Sequence, residues 1–249
     1  ESKRCRDRRI AGGVHRGRSG KCMSYTVNSC AMEYVMKLNS KGYWDARFSS
    51  GDWQSRGGEI QTMAFVNAQL PYYGLSEGFA GQIVDFGCGP GSGMAVLRDA
   101  FPQATLLGID ISETAIEHAR LHYGDLAQFE AGDHTMLSDA DVIICSNVLE
   151  HLDDDLSVAR VLWERTAKHL FITVPYQESP LNPEHLRTYN SGHFDRVVPN
   201  CTEHVFPSKY WSEYGRRHFH LHLKNLGRRL RGRPVRQRKM QIMFRADRT

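Results

Sequence analysis

The stretch Ile83-Val84-Asp85-Phe86-Gly87-Cys88-Gly89-Pro90-Gly91-Ser92-Gly93 constrains this chain more than any other. An apolar run of strand length ends in a turn with glycines at 87, 89 and 91, and the chain then resumes as an amphipathic helix. Glycines there let the backbone turn sharply and come close to a ligand, with a helix N-terminus behind them. Asp110 closes the next apolar run, nineteen residues after Gly91, where an acid can take both hydroxyls of a ribose. Together these features imply an adenosine-containing cofactor at the carboxyl ends of parallel strands.

The rest of the chain continues the alternation of strand and helix. Strands are expected at Ile83–Phe86, Thr105–Ile109, Ala127–Glu130, Val142–Cys145 and Leu170–Val174, with a final pair at about 219–225 and 239–245. Helices are expected at Ser92–Ala100, Ser112–His122 (Ser112 as N-cap), Leu156–Lys168 and near Ser208–Arg217. Upstream, the pattern from Met32 reads as helical, a loop falls around Ser49–Gly58, and a helix runs from about Glu59 to Leu70, ending before Pro71. The chain thus divides into three segments: residues 1–22 as a disordered basic extension, 23–75 as a cap segment, and 76–249 as the cofactor-binding domain on which the cap docks.

Charge is segregated. Residues 1–22 hold eight Lys/Arg against two acids and residues 216–249 twelve against one, which leaves an acidic body at net −13. Such segregation bears on partners and solubility, and not on fold. Residues 1–22 lack the apolar core of a signal peptide, no apolar run reaches the roughly 18–20 residues of a membrane helix, and the six cysteines form no C-x-x-C pair. A reduced, cytoplasmic protein is expected.

The dinucleotide fingerprint G-x-G-x-x-G fails, because its third position is Ser92 or Met94 depending on the starting glycine. Asp85, just before the first glycine, would repel a pyrophosphate and suits a cationic ligand such as the sulfonium and ammonium of S-adenosylmethionine. Loop, preceding acid and correctly spaced second acid together resemble class I S-adenosylmethionine-dependent methyltransferases, over roughly residues 80–180. By that resemblance Asp85 to Gly91, with Gly87, Cys88 and Gly89 between them, hold the methionine part of the cofactor, and Gly108-Ile109-Asp110-Ile111 form the ribose clamp. Ala131-Gly132-Asp133-His134 supply an acceptor for the adenine amino group through Asp133, and Ser146 and Asn147 lie near the methionine end. Gly51-Asp52-Trp53 through Gln61-Thr62 resemble the N-terminal cap of some bacterial members, which brings Trp53 and Gln61 to the cofactor. The resemblance implies a Rossmann-like, seven-stranded, mostly parallel sheet of order 3-2-1-4-5-7-6, with helices on both faces and an N-terminal helical cap.

A hydroxyl or protonated amine acceptor must lose a proton, and a nearby histidine suits that task. His151, after the fourth strand, and His185, in the stretch after the fifth, are the candidates, with Tyr176 as a pocket residue. The Asn/Asp-Pro-Pro-aromatic element of enzymes that methylate amino groups of adenine or glutamine is missing after the fourth strand, where Ser146-Asn147-Val148-Leu149 stands. His218, His220 and His222 would share one face of a strand, but no acid or cysteine joins them, and no metal is assigned. The connection Arg228–Lys239 carries seven cations and would rim the substrate entrance if the sixth strand is parallel to the first five. An anionic small-molecule acceptor is therefore expected, methylated on oxygen or nitrogen. An RNA substrate held by the basic hairpin and a non-catalytic cofactor-binding protein are the alternatives.

Overall fold

A computed structural model describes residues 36–208, 225–232 and 239–248. The basic extension 1–22, most of the helix expected at Ser208–Arg217, and His218, His220 and His222 lie outside the described residues. Seven strands form one sheet in the order β3-β2-β1-β4-β5-β7-β6, as expected. They are β1 Gln82–Phe86, β2 Thr105–Asp110, β3 Gln128–Ala131, β4 Ala140–Ser146, β5 Thr166–Tyr176, β6 Thr202–Pro207 and β7 Met240–Asp247. β1 to β5 pair in parallel, while β7 runs antiparallel between β5 and β6. Chain order reverses between β1 and β4, where an open parallel sheet leaves a crevice at its carboxyl ends.

Helices cover both faces. Three precede the sheet, α1 Lys41–Ser49, α2 Asp52–Ser55 and α3 Gly58–Tyr73; three more lie between β1 and β5, α4 Ser92–Ala100, α5 Glu113–Tyr123 and α6 Asp155–Arg165. Each of the two faces has its own apolar layer, one around Ile143, Leu162, Ile172 and Phe244, the other around Ile83, Met94, Ile116 and Phe171. Fully burying each such side chain contributes about 1.5–3 kcal/mol before entropy is counted. The continuous Val/Ile/Leu runs of β1, β4 and β5 are what a strand buried on both faces requires.

Several elements differ from expectation. The strand expected at about 219–225 lies outside the described residues but for residue 225, and the sixth strand of the sheet is Thr202–Pro207, which the sequence did not suggest. It is an edge strand with Phe206 buried and Val205 exposed, too mixed in polarity to stand out, and Pro207 is tolerated at its end because an edge leaves ladder positions unpaired. It is nonetheless parallel to β1–β5, so the connection to β7 leaves from the same side as the crevice. α3 runs on through Pro71 to Tyr73, although Pro71 forfeits the N–H bond to the Asn67 carbonyl, and Gly74 stops it at φ +63°. Of the helix expected from Met32, residues 32–35 lie outside the described residues and residues 38–40 form a turn. The helix begins at Lys41, where the Ser40 hydroxyl accepts from the Tyr43 N–H. The loop expected at Ser49–Gly58 contains α2, and α6 stops at Arg165, where the Thr166 hydroxyl bonds back to the Leu162 carbonyl before the chain enters β5.

Candidate active site

The turn after β1 is pinned to β2. The N–H groups of Gly87 and Cys88 both donate to the Ile109 carbonyl, at 2.7 and 3.1 Å. The N–H groups of Gly89 and Ser112 donate to the two carboxylate oxygens of Asp110, each at 2.9 Å. Gly87 sits at φ +82° with the Val148 methyl 2.1 Å from where a β-carbon would be, so only glycine fits. Gly91, at φ +86°, packs its bare α-carbon on Ala119 and Phe129 and starts α4. It shapes the turn from behind the cavity and does not line it.

A cavity of about 690 Å³ opens here. Asp85, Gly87, Cys88, Gly89, Asp110, Ile111, Asp133 and His134 line one end, and Ser146, Asn147, His151 and His185 line the other. Trp53 and Gln61 reach it from α2 and α3. Tyr176 does not line the cavity. It ends β5, bridging to Tyr189 and packed against the apolar layer. The pocket role expected for it is not carried by its position, and Pro175 beside it takes the wall instead.

The acids at the loop end are under electrostatic tension. Asp85 is 7% exposed, and burial, with the negative charge of Asp110 added, pushes its pKa up to about 7. Burial also raises Asp110, against the pull of the two N–H groups bonded to it. Burial drives the Cys88 thiol well up, so Cys88 contributes backbone and bulk rather than a thiolate. Asp133 is held below the usual carboxylate range by the Thr135 hydroxyl and N–H. One of its oxygens thus caps the short turn His134–Met136, the turn-residue role its type suits.

Ser146 and Asn147 line the cavity but spend their polar groups on a network. The buried Gln69 of α3 donates to Ser146 Oγ at 2.7 Å and accepts from the Tyr73 and Thr173 hydroxyls. Asn147, at φ +56°, donates to Ser146 Oγ and accepts from Gln241 at 2.7 Å. These bonds tie α3 to the ends of β4, β5 and β7, and so lock the cap helix over the sheet.

The far end gathers histidines. His151 closes the short turn Leu149–His151 after β4, and its Nδ1 lies 3.0 Å from the Glu184 carbonyl. A carbonyl only accepts, so Nδ1 carries the hydrogen and Nε2 keeps its lone pair. Burial, then the neighbouring His185, holds the His151 pKa down to about 4. His185 Nδ1 pairs with Glu178, whose carboxyl also binds Lys239 at 3.0 Å. Burial works to raise Glu178, but the bond and charge of His185 and the bond from Lys239 outweigh it and bring it to about 2. Glu150 is 1% exposed, neither carboxyl oxygen has a hydrogen-bond partner among the described residues, and burial lifts it to about 7.

The cap completes this end with residues that sequence reasoning missed. Trp44 packs its ring edge-on to His151 at 5.0 Å and lies over Phe48 at 6.0 Å. Arg47 and Arg56 line the wall and both pair with Asp52. Tyr43 donates to Glu184 at 2.6 Å and Asn39 to the Glu184 carbonyl at 2.8 Å. Asp45 accepts from Ser112 and Thr114 at the start of α5. The alternation of aromatics and acids across 43–53 was the available signal, but its partners are distant in sequence.

Residues 84–170 match the family model described as a methyltransferase domain. Trans-aconitate 2-methyltransferase of Deinococcus radiodurans is 38% identical over 97 residues, 38% of each chain. Ubiquinone biosynthesis O-methyltransferase of Vibrio parahaemolyticus is 30% identical over 121 residues, 43% of this chain and 50% of that one. The chain spans between 38% and 56% of the length of curated relatives of this kind. Among solved structures, the putative methyltransferase complexed with the Haloferax volcanii Trm112 methyltransferase activator aligns with a TM-score of 0.58 at 16% identity, covering 82% of this chain and 97% of that one. The plantazolicin methyltransferase BpumL, in complex with a triazolic desmethylPZN analog and SAH, aligns at 0.54 and 18%, covering 84% and 96%. Residues 84–170 are thus similar to a methyltransferase domain, and the described residues have the fold of class I S-adenosylmethionine-dependent methyltransferases. No helix among the described residues is long and apolar enough to cross a membrane.

Proposed function

We propose that this chain transfers a methyl group from S-adenosylmethionine to an oxygen or nitrogen of a small, anionic acceptor. The observation that carries the reading is the continuity of the cavity from the glycine loop to the histidine end, so that donor and acceptor share one desolvated space. The donor set fits the cofactor. Asp85 is a buried carboxyl with the negative charge of Asp110 beside it, a strain that a sulfonium and an ammonium relieve. The left-handed turn at Gly87–Gly89, whose N–H groups are tied to Ile109 and Asp110, would bring bare backbone against the methionine half. Asp110 with Ile111 would take the ribose, and Asp133 with His134 would meet the adenine.

When bound, the cofactor supplies a methyl group activated by a positive sulfur. The protein's part is alignment and charge. The loop and the α3 network fix one reactant, Trp44 and Phe48 wall the other, and closing both in one cavity converts a bimolecular step into one between oriented partners. The acceptor's proton leaves toward the His151 and His185 end, where an Nε2 lone pair is available. Support for an anionic acceptor comes from Arg47 and Arg56 on the wall and from the basic connection that leaves β6 on the cavity side.

Thermal unfolding with S-adenosylmethionine, S-adenosylhomocysteine or NAD tests the cofactor. Ligand at about a hundred times its dissociation constant stabilises by roughly 2.7 kcal/mol. The shift is expected with the first two and lost in Asp110→Ala; a shift with NAD alone would overturn the reading. Methyl transfer to a panel of small carboxylates, phosphorylated sugars, phenols and RNA then tests the acceptor. Reversing Arg228, Arg229 and Arg231 with unchanged KM for an anionic acceptor would remove the basic connection from the site.

A further inference from the structure

Glu150, His151 and His185 each place a ligand atom within 4.8 Å of the other two, on the wall of the same cavity. Glu150 is the telling member of the three. Its carboxyl is buried and both oxygens lack partners among the described residues, an arrangement that costs free energy unless something fills the gap. The histidines are held as ligands are held. His151 Nδ1–H is spent on the Glu184 carbonyl, so its ring keeps an Nε2 lone pair. With His185 Nδ1–H on the Glu178 carboxylate, it is Nε2 that the His185 ring offers to a cation, which displaces any proton there. A carboxylate or carbonyl behind a histidine is the usual means of fixing the tautomer and orientation of a metal ligand.

From this geometry we infer that Glu150, His151 and His185 bind one divalent cation, which orients and activates an oxygen nucleophile of the acceptor. Ligands about 2.0–2.2 Å from a cation stand roughly 3–3.5 Å apart, so the three need to close by at most about 1–2 Å, within reach of side-chain rotation. Two imidazoles and one carboxylate favour a first-row ion from manganese to zinc over magnesium or calcium. Three protein ligands leave open positions that face the cavity, the pattern of a catalytic rather than a structural site.

The assigned role rests on the methyltransferase reading, and it narrows the acceptor to one that reacts through oxygen. With both Nε2 atoms on the ion the histidines no longer take the acceptor's proton; an acceptor hydroxyl beside the dipositive charge loses it to solvent instead. The oxygen's electron pair then forms the O–C bond as the C–S bond breaks, and that bond's pair stays on sulfur. Nothing is oxidised or reduced.

The test is metal binding by the full chain, stripped with chelator and without cofactor or acceptor. Dialysis against Co²⁺ or Zn²⁺ followed by elemental analysis is expected to return about one equivalent. The Co²⁺ form is expected to show hyperfine-shifted ring N–H protons from two imidazoles. Glu150→Gln and His185→Ala should each weaken binding at least tenfold, and Glu178→Gln by about 10–100-fold. The stabilisation by S-adenosylhomocysteine, measured on each variant, reports that it folds. If Glu150→Gln fails to fold, the wild-type Co²⁺ spectrum decides. The triple variant His218→Ala, His220→Ala, His222→Ala should retain the ion. No bound metal, binding that survives both Glu150→Gln and His185→Ala, or binding that disappears with the triple variant would overturn the site. Methyl transfer indifferent to chelation would overturn the role alone. Metal binding in a chain that transfers no methyl group would leave the site standing and sink the methyltransferase reading.

Discussion

The two ends of the cavity are built in different ways. The loop end is local: β1, its glycine turn and the end of β2 lie within about thirty residues, and their contacts are mostly backbone N–H groups on a carbonyl or a carboxylate. The histidine end is assembled from three distant pieces, the cap helix α1, the turn after β4 and the segment 182–187. On the proposed reading the loop end binds the cofactor, a chemistry that does not change, so rigid backbone serves it. The histidine end presents side chains on loops, where the identity of the acceptor can vary without disturbing the sheet.

The largest effects should come from the loop end. Gly87→Ala adds a β-carbon 2.1 Å from the Val148 side chain at a left-handed φ, so a loss of about 2–4 kcal/mol is expected in denaturant unfolding. Asp110→Ala removes the acceptor of two N–H bonds and the proposed ribose contact. Affinity for S-adenosylhomocysteine by calorimetry should fall by about 100-fold or more, in line with roughly 1.5–3 kcal/mol for each hydrogen bond to a charged group. Near-normal affinity in that variant would mean that the two ends do not divide the work as described.

Asp85 tests the same end through pH. Its pKa of about 7 lies above the value of about 3.8 in an unfolded chain, so the folded state holds the proton more tightly between those values. Stability without cofactor should therefore fall as pH rises from about 4 to about 7, and the loss is complete above that window. Asp85→Asn should remove this dependence, making the cofactor-free variant more stable than wild type at about pH 8 and leaving little difference at about pH 4. Binding of a cationic ligand requires ionised Asp85, so near pH 6 it should release a proton and near pH 8 almost none. Calorimetry in buffers of different ionisation enthalpy reads that difference directly, and equal proton release at both values would sink the pairing of Asp85 with the cofactor's positive charge.

The contrast between the ends also explains what is legible in the sequence. The glycine turn, Asp85 and Asp110 can be read because one contiguous motif contains both the backbone requirement and the chemistry. His151 and His185 are visible as residues after strand ends. Glu150 is not, since a glutamate in a short turn reads as solvent-facing. Its burial goes with the bond from the Leu186 N–H to the Glu150 carbonyl, a partner distant in sequence that holds the 182–187 segment against this turn. Trp44 is hidden for the same reason, its role being set by His151 far along the chain. β6 escapes because an edge strand needs only one covered face, and its alternation spans six residues. The position of Tyr176 after a strand end suggests a pocket residue, but β5 continues through it and turns it toward the apolar layer.

The smallest effects are expected at the histidine end, and they should fall on the acceptor alone. Trp44→Ala opens the wall beside His151 and should raise the acceptor KM by about tenfold, roughly 1.4 kcal/mol, with cofactor affinity unchanged. Tyr43→Phe is the finer probe. It deletes one hydroxyl that donates to Glu184 at 2.6 Å and leaves the ring in its buried place, so the expected cost in stability is about 1 kcal/mol. Glu184 lends its carbonyl to His151 and Asn39, and its carboxylate also faces Arg47, so loosening it should let the 182–187 segment drift. The acceptor KM should then rise a few-fold while the S-adenosylhomocysteine-induced shift in Tm stays as in wild type. A change in both, of similar size, would mean that the cap acts on the whole cavity as one unit, and the division between a rigid donor end and an adjustable acceptor end would have to be abandoned.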